Sequence, residues 1–138
     1  MNWNAHVRDV MSDRPVFVEI DDPPSKVQEV LTRAPFHHLP VMKGGVLVGI
    51  ISATDLARIS LGAWVKDHAT QQAWLDATFT MSEVMTWEPE CVQASDPLKL
   101  AADKLSSGDF HALPVVDGNQ QLVGMLTSTD LLRWLVTA

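Results

Sequence analysis

Short apolar runs closed by glycine, proline or aspartate alternate along this chain with stretches in which apolar side chains recur at helical spacing. The stretches Val16-Phe17-Val18 and Cys91-Val92 predict short strands. Each is followed by an Asp-Pro turn that opens a helix, near Pro24–Arg33 and near Pro97–Ser107, because proline is tolerated in a first turn whose amides lack partners. In the second of these helices Leu98, Ala101, Ala102 and Leu105 form one buried stripe. Leu39-Pro40-Val41-Met42, Lys43-Gly44-Gly45 and Val46–Ile51 read as a hairpin with a glycine turn, and Asp117-Gly118-Asn119 plays the same part further on. The near-continuous apolar run of the last strand predicts burial on both faces. A closing helix begins near Ala53 and again near Ser128.

The pattern is written twice. Val10-Met11-Ser12 answers to Val84-Met85-Thr86, Pro15 to Pro89, Phe36-His37 to Phe110-His111, and Leu39-Pro40-Val41 to Leu113-Pro114-Val115, at an offset of 74 residues (Pro40 against Pro114). Gly49–Leu56 answers to Gly124–Leu131 at an offset of 75 (Asp55 against Asp130), so one residue is inserted in the second hairpin turn. Each copy reads strand, helix, strand, strand, helix. The expected architecture is therefore α/β of the α+β type, two tandem βαββα repeats, with repeat 1 over residues 1–61, a linker over 62–80 and repeat 2 over 81–138. The spacing of Trp64, His68, Gln71-Gln72 and Leu75 permits a helix in the linker. Nothing marks it as a flexible tether, so the two copies are expected to pack directly on each other.

Composition narrows the function. A chain of 138 residues with 46% hydrophobic and 20% charged residues is that of a folded domain. Ten Lys+Arg against seventeen Asp+Glu give a net charge of −7 without any basic cluster, which argues against nucleic acid. The longest strongly apolar run, Val46–Ile51, is broken by Gly49 and too short to span a membrane. The first residues lack a basic region followed by an apolar stretch, so a cytoplasmic location is expected. A single cysteine, Cys91, excludes an internal disulfide framework.

The chemistry is concentrated where both copies read Gly, two apolar residues, Ser or Thr, two more residues, Asp. At a strand-to-helix junction Gly49 and Gly124 would let a ligand approach the backbone. Ser52 and Thr127 sit at a helix start, where free amides and the dipole favour an anion. Asp55 and Asp130 offer carboxylates that accept from vicinal hydroxyls. Phosphate and ribose together describe a nucleotide. A helix N-cap has the same outline and needs no ligand, but its recurrence with the preceding glycine at matched places favours binding.

Taken with Val10-Met11-Ser12, Val84-Met85-Thr86, His38-Leu39-Pro40-Val41 and Ala112-Leu113-Pro114-Val115-Val116-Asp117, these segments make the chain resemble the CBS (cystathionine β-synthase) domain over nearly its whole length, as the tandem pair called a Bateman module. The resemblance implies two repeats related by a pseudo-twofold axis, an adenosine ligand in the cleft between them (AMP, ADP, ATP or S-adenosylmethionine), frequent homodimers, and a role in energy or metabolite sensing. It implies that Asp55 and Asp130 hold ribose, with Ser52, Thr54, Thr127 and Thr129 near ribose and phosphate. Val16, Phe17, Glu90 and Cys91 would line the adenine pocket, and the residues at the Leu-Pro step, His37, His38 and Pro40 in one copy and His111 and Pro114 in the other, would lie near phosphate. Because His38 is answered by Ala112, the pocket of Asp130 with His38 is expected to be the tighter. No arginine stands beside either Leu-Pro step, and neutral histidine carries little charge, so AMP or S-adenosylmethionine is favoured over ATP. Arg58 and Arg133, three residues after each aspartate, could supply charge or pair with it.

Other constellations are weaker. His37-His38 lacks the spacing of a metal site, Cys91 follows no nucleophile motif, and no arranged catalytic nucleophile appears, so neither metal nor enzyme activity is expected. Trp134 lies at helical spacing from Leu131 and Leu135; packing is its default role, with a dimer face the alternative, and the same holds for Trp64 and Trp74. The expected partners are an adenosine compound, a second copy of the chain and an unidentified effector protein regulated in trans. The rival reading is a structural dimerisation scaffold with vestigial pockets.

Overall fold

The computed structural model describes residues 4–33, 37–60 and 67–137. Phe36, Trp3 and Trp64 lie outside them. The chain folds into two compact units, one of residues 1–15, 45–47 and 89–138, the other of residues 16–44 and 48–88. The repeat in sequence and the unit in space are thus offset, because each repeat's opening segment belongs to the unit that holds the other repeat's later strands.

In the unit of residues 16–88, β2 (Val18–Glu19), β3 (His38–Lys43), β4 (Val46–Ser52) and β5 (Thr86–Trp87) form one sheet in that order. Strand β2 runs parallel to β3 with Val18 opposite Val41, as it must when helix α1 (Ser25–Arg33) connects them. Gly44 and Gly45 turn the β3–β4 hairpin at φ values of 57° and 81°, which glycine adopts without penalty. Helix α2 (Ala53–Ser60) follows β4 directly, and α3 (His68–Thr78) and α4 (Met81–Val84) lead to β5. The core gathers Val18, Val27, Leu39, Val41, Ile51 and Met81, with Leu75 of α3 closing over it. Trp74 packs on the same core and meets Phe79 edge to face at 6.1 Å between ring centroids.

The other unit repeats this build. Its sheet order is β1 (Ser12–Asp13), β8 (Leu122–Thr127), β7 (Ala112–Val116), β6 (Val92–Gln93), with helix α5 (Leu98–Leu105) between β6 and β7 and helix α6 (Ser128–Thr137) after β8. Val7 of a short 3-10 turn (Val7–Asp9) is fully buried among Val92, Leu98, Leu113, Val115 and Leu126. Leu131 and Trp134 of α6 pack against this core.

Two expectations are corrected. The last strand is buried on both faces only in the second repeat, at Gly124–Leu126 of β8; in the first repeat it is the central strand that is buried along its length. Leu39–Met42 of β3 and all of β7 are buried, whereas Val46 is 41% exposed and Val48 and Ile50 of β4 are half-buried. In the second hairpin the left-handed residue is Gln120 (φ 62°), not Gly118; Asp117 Oδ1 accepts from the amides of Asn119 and Gln121 at 2.8 and 3.0 Å and holds the longer turn.

Candidate functional site

Ser52 ends β4 and Thr127 ends β8, so each Ser/Thr-x-x-Asp motif spans the step from strand to helix. In both copies the motif closes on itself. Asp55 Oδ2 accepts from the Ser52 amide at 2.8 Å and its hydroxyl at 2.9 Å, and the Asp55 amide donates back to Ser52 Oγ at 3.1 Å. Asp130 Oδ2 accepts from the Thr127 amide at 2.9 Å, and its own amide donates to Thr127 Oγ1 at 3.0 Å. This is a reciprocal helix cap. It uses one carboxylate oxygen. The other, Oδ1, faces Arg58 Nη1 at 3.8 Å in one copy and Arg133 Nη1 at 3.6 Å in the other. The aspartates are largely buried, 20% and 14% exposed, while the arginines are 73% and 70% exposed. Each site thus offers a rigid carboxylate edge whose single partner is a solvated side chain.

The helix starts are less open to anions than their sequence suggests. The Ala53 amide donates to the His37 carbonyl at 3.1 Å, and the Ser128 amide to the His111 carbonyl at 2.9 Å. With the Asp55 and Asp130 amides bound in the caps, two of the first three amides of each helix are taken. Thr54 and Thr129, both exposed, stand at the remaining position.

The side of Gly49 and Gly124 on which a β-carbon would stand is filled by the protein itself. A β-carbon on Gly49 would lie 2.6 Å from Met85 Sδ and 2.9 Å from the Thr86 carbonyl oxygen; on Gly124 it would lie 2.6 Å from Met11 Sδ and 2.9 Å from the Ser12 carbonyl oxygen. The glycines admit β5 and β1, whose Trp87 and Asp13 sit opposite them. The Val-Met-Ser/Thr motif that opens each repeat is the segment that docks there.

The remaining candidates fall into the two units. With Asp55 lie Val16 and Phe17, exposed before β2, exposed His37, half-buried His38 and buried Pro40. With Asp130 lie exposed His111, buried Pro114, Glu90 and Cys91. Glu90 pairs with Lys104 of α5, a residue that nothing in the repeat singled out. Burial pushes the Cys91 thiol above its ordinary range, Glu90 adds to this, and Lys104 opposes it. Among the described residues no cluster of His, Cys, Asp or Glu is arranged to hold a metal, and no helix is long and apolar enough to cross a membrane.

The CBS domain family model matches residues 7–62 and 81–137. The chain belongs to the CBS domain family. Its two CBS domains are 33% identical over 109 residues to an uncharacterised protein of Methanocaldococcus jannaschii, covering 78% of this chain and 39% of that protein. They are 31% identical to the homoserine O-acetyltransferase of Methanocorpusculum labreanum, covering 91% of this chain and 23% of that enzyme. The chain thus spans well under half of these longer relatives. Among solved structures it is similar to the CBS domain pair of protein MJ0100 in complex with 5′-methylthioadenosine and S-adenosyl-L-methionine, with a TM-score of 0.80 and 26% identity, covering 96% of this chain and 97% of that one. It is equally similar to CBSX2 of Arabidopsis thaliana in complex with AMP, with a TM-score of 0.79 and 28% identity over 96% of each chain.

Proposed function

We propose that the chain is a regulatory module that binds an adenosine compound at its Ser/Thr-x-x-Asp helix starts, acts without catalysis, and passes its occupancy to an effector protein in trans. The observation that carries this reading is the duplicated reciprocal cap, which fixes a mostly buried aspartate through Oδ2 and leaves Oδ1 facing a solvated arginine, so that ribose hydroxyls find an acceptor already oriented once that arginine swings aside. The adenosine ligands of the two similar structures point the same way.

The charge inventory selects the ligand. Arg58 and Arg133 already face site carboxylates and Lys104 already pairs with Glu90, so a polyphosphate would have to break these pairs to be neutralised. Two of three amides at each helix start are occupied. AMP or a phosphate-free adenosyl compound such as S-adenosylmethionine is therefore favoured over ADP and ATP. Asp130 is the deeper of the two carboxylates and takes the tighter site. The module works as a homodimer, because α6 presents Leu132, Leu135 and Val136 to solvent.

A specific observation also favours the scaffold reading: the caps are complete without a ligand. Thermal shift separates the two. A ligand at 100 times its dissociation constant adds about 2.7 kcal/mol of stability, so AMP or S-adenosylmethionine should raise the melting temperature and ATP should do so less. Melting curves unchanged by any of these compounds would leave the scaffold.

A further inference from the structure

The two repeats seat a methionine on a glycine in the same way, and they differ in whether that methionine meets solvent. Met85 Sδ stands 2.6 Å from the β-carbon position of Gly49, and Met85 is buried. Met11 Sδ stands 2.6 Å from the β-carbon position of Gly124, but Met11 is only half-buried. Met42, Met81 and Met125 are buried as well, so Met11 is the one methionine among the described residues that solvent reaches. Its seat is close-fitting: the Ser12 carbonyl oxygen borders the same spot, and the side chain packs on the core that holds Val7, Leu113 and Leu126. The strand pairing beside it is short, Ser12 with Met125 and Asp13 with Gly124. The residues before it are anchored separately, the Val7 and Arg8 amides donating to the Asp96 and Ala94 carbonyls at 3.0 Å.

A thioether is soft and electron-rich, and a peroxide converts it from an apolar side chain to a polar sulfoxide. We propose that Met11 is a peroxide-reactive modification site, and that its sulfoxide unseats β1 from β8. In the reaction a lone pair of Sδ attacks one oxygen of hydrogen peroxide. The sulfur–oxygen bond forms as the oxygen–oxygen bond breaks, and the departing hydroxide takes up the remaining peroxide proton and leaves as water; sulfur is oxidised and the peroxide reduced. The product does not fit the seat. An oxygen kept inside is a polar group buried against glycine and aliphatic side chains, which is costly without a donor, and an oxygen turned out to water draws the sulfur off Gly124. Either way β1 loses a contact that its two residue pairs do little to replace. Met85, in the same seat but buried, is shielded from the reagent, so the device acts on one repeat only. It uses neither carboxylate of the proposed adenosine sites.

The test treats the full chain with dilute hydrogen peroxide and maps its peptides by mass spectrometry, tryptic cleavage after Arg8 separating Met11 from Met1. Met11 should gain oxygen roughly tenfold or more faster than Met42, Met81, Met85 and Met125, which react only when the structure opens around them. The melting temperature should then fall by about 3 °C or more. Amide exchange should quicken in β8 at Gly124 and Met125 while Val7 and Arg8 stay protected, and methionine sulfoxide reductase should reverse both changes. Met11→Leu keeps an apolar side chain of similar volume without the sulfur, so its melting temperature, whatever its starting value, should be the same before and after peroxide. Oxidation falling first on one of the buried methionines, a Met11 sulfoxide with melting temperature and exchange unaltered, or an equal loss in peroxide-treated Met11→Leu would overturn the proposal.

Discussion

Asp76 of α3 holds the first turn of α1: its Oδ1 accepts from the Ser25 amide at 2.9 Å and its Oδ2 from the Ser25 hydroxyl at 2.5 Å, across 51 residues of chain. A helix leaves its first amides without partners, and α1 follows Pro23 and Pro24, whose side chains can accept no hydrogen bond. The linker helix is therefore part of the first repeat's structure. Replacing a capping carboxylate costs about 1 kcal/mol, so Asp76→Ala should lower the unfolding free energy by that much and the urea midpoint in proportion, and Ser25→Ala by less, since the backbone bond survives. An unchanged midpoint for Asp76→Ala would show that water serves the turn equally well.

The glycines opposite β1 and β5 give a second test. Alanine at Gly49 or Gly124 would press against a backbone carbonyl 2.9 Å away, which cannot rotate aside as the methionine sulfur can. Overpacking of this kind costs about 1–3 kcal/mol. Gly118→Ala, whose β-carbon meets nothing within 4 Å, is the control and should be close to neutral. Equal midpoints for all three variants would remove the packing role assigned to the motif glycine.

These residues also mark where sequence reading stopped. The repeat, its hairpins and the acid at each strand-to-helix step were legible because period and turn residues are local signals. A glycine at a strand end tells only that a β-carbon is excluded, not whether ligand or protein comes close; here Met85 and Thr86, and Met11 and Ser12, do. Strands β1 and β5, two residues each, carry no alternation and are defined by their distant partners. Asp76 and Lys104 escaped for the same reason: a single polar residue on a helix does not reveal that it serves Ser25 or Glu90 elsewhere in the chain.

Because each motif aspartate is both cap and proposed ribose acceptor, its two roles must be separated. Asp130→Ala should lose both, with affinity for AMP falling roughly tenfold or more. Thr127→Ala removes the acceptor of the Asp130 amide but keeps the carboxylate, and should lower stability while affinity changes much less. Isothermal titration reads this directly. Asp55→Ala should weaken binding less than Asp130→Ala; the reverse order would transfer the tighter site to the first repeat.

Acid should loosen the start of α3. Asp67 caps that helix by accepting from the Thr70 hydroxyl and, at 2.9 Å, from the Thr70 amide. These bonds, then the Ala69 amide and the charge of His68, hold its carboxyl below the ordinary range. A depressed folded value means that the stabilisation is full above the unfolded carboxylate's value of about 4 and disappears as pH falls through the folded one. Hydrogen exchange at Thr70 should be steady from neutrality down to about pH 5 and accelerate below about pH 4 relative to its intrinsic rate. In Asp67→Asn that acid-linked step should vanish; if it persists, another group titrates there.

Cys91 reports on the proposed adenine pocket of the second repeat without disturbing it. Its thiol is raised by burial and by Glu90, with Lys104 opposing, and only the thiolate attacks an alkylating reagent. Iodoacetamide at about pH 8 should therefore modify Cys91 more slowly than a free cysteine, whose thiol titrates at about 8.5. Glu90→Gln removes a raising charge and frees the Lys104 ammonium from its ion pair, so the reaction should quicken. A bound adenosine compound adds steric cover that this electrostatic change does not undo. Slowing by AMP in both forms would thus favour a ligand lying over Cys91, whereas rates indifferent to AMP at saturating concentration would move the adenine away from this strand.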